Sequence, residues 1–118
     1  MKITNIRTFL PSKDFSVSKQ FYLDLGFDLR WESDDLIIFG TTDHNFFLQN
    51  AYLKEWAENM MIQLHVTDLD ALYEVCLRLK EKYEETKLIP IFTADYGRTF
   101  HFIGPAGELW HMTEEQKG

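Results

Sequence analysis

The feature that most constrains how this chain can fold is an order of elements that occurs twice. Residues 2–10, KITNIRTFL, alternate and predict a strand closed by Pro11. A helix is expected from Asp14, as N-cap, to Leu25, with Val17, Phe21, Tyr22 and Leu25 at helical spacing and Gly26 as the left-handed stop. Three strands follow at 27–32, 36–40 and 45–50, with SDD and TTDH as turns. The second half repeats the plan. MMIQLHV (60–66) is a strand, Thr67 or Asp68 caps the next helix, and that helix buries Leu69, Leu72, Cys76, Leu79 and Tyr83. Strands at 87–94, 98–103 and 108–113 complete it, with Pro90 suited to an edge position or a bulge. A strand-helix-strand-strand-strand order used twice predicts an α+β chain of two βαβββ modules related by a pseudo-twofold axis.

Composition narrows the function. The chain has 118 residues, of which 45% are hydrophobic and 15% aromatic, enough for a packed core without staples. Its one cysteine, Cys76, has no intrachain partner and lies on the apolar stripe of the second helix, which reads as an inert thiol in a reducing compartment. A net charge of −7, with no basic stripe, argues against nucleic acid as a partner. Apolar runs such as LIIF are far short of the ~20 residues a membrane helix needs. The N-terminal stretch has charges and a proline where a signal peptide needs a continuous apolar region, so a cytoplasmic location is expected.

DFSVSKQFYLDLGF (14–27) resembles the D-x-x-x-S-x-x-FY-x-x-LGF signature of the vicinal oxygen chelate superfamily, which includes glyoxalases, bleomycin-resistance proteins and extradiol dioxygenases. GPAGELWHMTE (104–114) is similar to that family's D-P-x-G turn and final strand, with Gly104 where aspartate is usual. Val66 and Asp68 match the start of its second module. The resemblance spans the chain. It implies one glyoxalase/bleomycin-resistance-like domain, with module one at about 1–56 and module two at about 57–118. It also implies a curved mixed sheet enclosing a ligand cup, and commonly a homodimer.

Enzymes of this family hold a divalent metal with two residues from each module. Seven residues before each capping aspartate lie Arg7 and Met61; on the closing strands the expected positions are Gln49 and His111. Arginine offers no lone pair, and a thioether suits copper(I) rather than the ions used here. Gln and His alone supply two ligands where catalytic zinc wants three. No metal and no cofactor are therefore expected. A shifted alignment would bring in His65, whose strand alternation puts Met61, Gln63 and His65 on the face opposite Ile62, Leu64 and Val66.

The remaining expectation is a cup lined by aromatic and amphipathic groups. The candidates are Arg7, Trp31, Phe47, Gln49, Trp56, Met61, Gln63, His65, Tyr96, Arg98 and His111. For Trp110 a core position is expected. His101 faces His111 if the turn is Pro105-Ala106-Gly107, and the opposite side if the turn is one residue longer. No catalytic residue stands out. The reading is metal-independent binding of a small aromatic or amphipathic molecule, like bleomycin-resistance sequestration. The alternative is a metal-dependent lyase, isomerase or dioxygenase on the same frame.

Overall fold

The computed structural model describes residues 1–41 and 43–116. The elements, in order, are β1 (Phe9–Leu10), α1 (Phe15–Leu25), β2 (Asp28–Glu32), β3 (Leu36–Gly40), β4 (Asn45–Gln49), α2 (Lys54–Ala57), β5 (Met61–Val66), α3 (Leu69–Lys82), β6 (Lys87–Ala94), β7 (Gly97–Ile103) and β8 (Leu109–Glu114). They form two four-stranded mixed sheets, ordered β1-β4-β3-β2 and β5-β8-β7-β6. In each, a parallel outer pair is followed by two antiparallel pairings, so the βαβββ plan recurs in three dimensions.

Both helices begin where their sequences expose a cap. The Asp14 carboxylate accepts the Val17 N–H at 3.2 Å, and that of Asp68 accepts the Ala71 N–H at 3.0 Å. Gly26 ends α1 at φ 119°, a conformation that glycine adopts without a Cβ clash. Within α1, Val17 is exposed and Ser18 is buried instead, because the buried stripe runs through Ser18, Phe21, Tyr22 and Leu25. Helix α3 buries Leu69, Cys76 and Leu79, with Leu72 and Tyr83 packed partly against the core. Burial pushes the Cys76 thiol up to about 12, so it is not a nucleophile near neutral pH.

Two elements differ from expectation. The first strand shrinks from residues 2–10 to Phe9–Leu10, since a strand exists only where its backbone is paired. Ahead of it, the Thr8 carbonyl still accepts from the Phe47 N–H, whereas residues 1–8 are exposed. Its counterpart β5 pairs with β8 through six residues. The connection between modules also contains α2, a single helical turn that buries Ala57. Pro90 lies within a register shift on the edge strand β6, where its missing N–H costs no ladder bond.

The modules meet through their helices and the inner sheet faces. Asp24 of α1 accepts hydrogen bonds from Lys82 Nζ (2.7 Å) at the end of α3, from the Tyr83 hydroxyl (2.6 Å) and from Gln20 (2.9 Å). Deeper in the seam, the Trp110 indole N–H donates to the Tyr22 hydroxyl (3.2 Å), which donates to Glu108 (2.9 Å). The other Glu108 oxygen accepts the Ala106 N–H at 2.9 Å. Glu108 is fully buried, and that burial raises its carboxyl to about 7 despite these donors. A Cβ at Gly104 would run into this carboxylate. The absence of a side chain at 104 and the presence of one at 108 are thus a single packing solution.

Candidate functional site

Each sheet has one face on the helices and one turned away from them. Ile37, Phe39 and Leu48 of the first sheet, and Phe100, Phe102, Trp110 and Met112 of the second, are buried on the helix side. Alternation then puts Ile38, Phe47, His101 and His111 on the outward faces. Cross-strand pairing aligns them into rows. In the first sheet Trp31 pairs with Ile38, Ile38 with Phe47, and Phe47 with Phe9. In the second, Ile89 pairs with His101, His101 with His111, and His111 with Gln63.

The two rows occupy related places in the repeat and differ in chemistry. Counting from the capping aspartates superposes Phe9 on Gln63, and the pairing then superposes Phe47 on His111. The expected match of Gln49 with His111 is corrected by two residues; Gln49 corresponds to Thr113. The length of the loops in module one left this position open, and only the register settles it.

The first row is apolar. The Phe9 and Phe47 rings stack at 4.5 Å, and the Arg7 guanidinium lies 5.3 Å from the centre of the Phe47 ring, within cation–π range. Trp31, at the far end, is 50% exposed. Beside Phe9, a cavity of about 220 Å³ brings Gln49 and Trp56 together with Tyr52, Leu53 and Met60. Trp56 is 71% exposed, and so is held by no core.

The second row is polar at its centre. His101 and His111 meet edge to face, ring centres 4.5 Å apart, so the turn has the three-residue register. Phe92 stands edge-on to His101 at 5.3 Å. Burial, and then the neighbouring His111, hold His101 below its ordinary value. Alongside, Gln63 and His65 share a 2.7 Å hydrogen bond, and the Gln63 amide donates to the Thr113 hydroxyl at 3.4 Å. Met61 is 62% exposed at the edge strand. Gln63 and His65 also border a groove of about 610 Å³ between the modules, walled by Phe27, Phe46, Leu64 and Trp110.

Two candidates stand apart. Arg98 is bound by Asp70 on both nitrogens (2.7 and 3.2 Å) and by Glu114 (3.1 Å), so it is not a free anion receptor. Tyr96 is exposed in the turn before β7, and its carbonyl accepts from Gln116. Sequence reasoning passed over Ile89 and Phe92, which only the bulge in β6 directs to the outward face. It also passed over Glu108, whose signal was the glycine at 104.

The positions that the sequence resemblance assigns to a metal carry poorly suited donors. With the corrected register they are Arg7, Phe47, Met61 and His111, which offer one good ligand and one cation. Among the described residues, no three His, Cys, Asp or Glu side chains cluster around a point that would hold an ion.

Two sheets of this order, each made by one βαβββ module, are the fold that the sequence motifs anticipated, and solved structures share it. The structure is similar to a bleomycin-binding protein from bleomycin-producing Streptomyces verticillus, determined with copper(II)-bleomycin (TM-score 0.80, 24% identity, 98% of this chain and 99% of that one). It is also similar to TnmS3, an antibiotic-binding protein of a Streptomyces species (0.77, 21% identity, 98% and 99%). Lactoylglutathione lyase from Agrobacterium tumefaciens shares the fold too (0.71, 14% identity, 96% and 95%). No family model matches the sequence, and no curated protein matches it. Among the described residues, no helix is long and apolar enough to cross a membrane.

Proposed function

We propose that this protein sequesters a small aromatic or amphipathic molecule on its outward sheet faces, as a homodimer and without a metal. One observation carries the reading: related rows of the two sheets are aromatic in one module and imidazole-centred in the other. A ligand with a flat apolar body and a polar edge matches that pair of surfaces, as small-molecule sites usually combine apolar walls with a few polar groups. The likeness to bleomycin- and antibiotic-binding proteins supports it, and the donor chemistry at the family's metal positions speaks against the lyase or dioxygenase alternative.

A second copy is supported by surface area. The chain exposes 7578 Å², whereas a folded monomer of 14.0 kDa exposes about 6,700 Å². That excess is near the ~800 Å² each partner buries in a standard interface. Part of it is apolar: Ile3, Ile6, Phe9, Trp31 and Met61 are all exposed.

Calorimetric titration with metal-free bleomycin and with copper(II)-bleomycin tests the reading, together with a thermal-shift panel of aromatic antibiotics. Saturable binding is expected, with the ligand recovered chemically unchanged. Trp31→Ala and Phe47→Ala should each weaken it by about 1–2 kcal/mol, the scale of a lost aromatic contact. A panel in which nothing binds, or conversion of the bound compound, would overturn it.

A further inference from the structure

The polar groups of the second sheet's outward face fall into two sets. Gln63, His65, Thr99 and Thr113 satisfy one another: the Thr99 hydroxyl lies 3.2 Å from that of Thr113 and donates to the Met112 carbonyl at 2.9 Å. His101 and His111 do not take part. Neither ring makes a hydrogen bond within the chain among the described residues, and His111 Nε2 is buried with no partner. A buried polar atom without a partner costs about 1–3 kcal/mol, so a fold keeps one mainly where something else satisfies it.

We infer that the His101–His111 pair is the polar anchor of the ligand face, and that it selects an aromatic compound bearing a hydroxyl or N–H donor. This rests on the sequestration reading and names the ligand chemistry within it. A neutral imidazole has one donor and one acceptor nitrogen, so two adjacent rings can accept from, and donate to, a single hydroxyl. Phe92 and Ile89 flank the pair and are 40% and 44% exposed, which gives the ring system of such a ligand an apolar surface to cover.

The other side chains of this face leave the ring nitrogens of the pair to a ligand. The other titratable groups on this face are Lys87 of β6, paired with Ile103, and His65 of β5; β7 and β8 add only Thr99 and Thr113 beside the pair. No carboxylate stands among them to occupy the ring nitrogens.

Nuclear magnetic resonance titration with 2-naphthol and with 2-methoxynaphthalene, which has the same rings and no donor, tests this on the full chain. 2-Naphthol should bind about tenfold more tightly, with the largest shifts in the His101 and His111 ring signals. His101→Ala and His111→Ala should reduce it to the methoxy level, whereas His111→Gln, which keeps a donor and an acceptor, should recover part of the difference. Equal affinity for the two probes, or shifts centred elsewhere, would overturn the anchor. Bleomycin or another antibiotic binding in that same case would leave sequestration standing; failure of every compound would remove both.

Discussion

Glu108 is the residue on which local chemistry and architecture meet. Its carboxyl is raised to about 7 against 4.5 for the free side chain, so the folded state holds a proton that the unfolded state releases. Between those values stability falls as pH rises, by up to about 3 kcal/mol from this group alone, and the loss is complete once pH passes about 7. Glu108→Gln mimics the protonated acid and should flatten the dependence; urea unfolding from about pH 5 to about 8 checks it, and an unchanged slope would place the proton elsewhere. The same carboxylate explains Gly104. Gly104→Ala should destabilise by about 1–3 kcal/mol through overpacking, and should be far less costly in a Glu108→Ala background.

Among the elements, the two long helices show how caps and a cross-helix contact divide the work. Asp14→Ala and Asp68→Ala should each cost about 1 kcal/mol, because each removes the acceptor for a first-turn N–H. Asp24 acts between helices. Lys82 and Tyr83, donating to it, lower its carboxyl to about 2 from 3.8. Its contribution is present above about pH 4 and is lost as pH falls toward about 2. Asp24→Asn should therefore reduce the acid-unfolding transition in that window, and cost about 1 kcal/mol at neutral pH, since Lys82 is largely exposed and screened. Circular dichroism across the acid range measures both effects.

For the whole molecule the question is what covers the exposed apolar surface. Ile3 and Ile6 are 60% and 79% exposed and join no buried cluster, so Ile3→Ser/Ile6→Ser should leave the fold and its melting temperature unchanged at low concentration. The same variant should shift a monomer–dimer equilibrium toward monomer in sedimentation velocity, because exposed apolar residues outside the core contribute mainly on association. A dimer unaffected by this change would place the interface on the sheet faces alone.

Much of this was legible in the sequence. Caps at Asp14 and Asp68, the stop at Gly26, the bulge at Pro90 and the order of the strands are local features, and side-chain spacing records them directly. So is the inward placement of Trp110 and Met112, which follows from period-two alternation once a strand is recognised. What the sequence left open depends on partners distant in the chain. Only pairing decided that the first strand would be two residues long, that Phe47 rather than Gln49 would match His111, and that His101 would face His111. Only packing closed Arg98 between Asp70 and Glu114 and buried Glu108 under Tyr22. A residue's type fixes which bonds it can make, while register and burial, which belong to the assembled sheets, fix which of those bonds are left for a ligand.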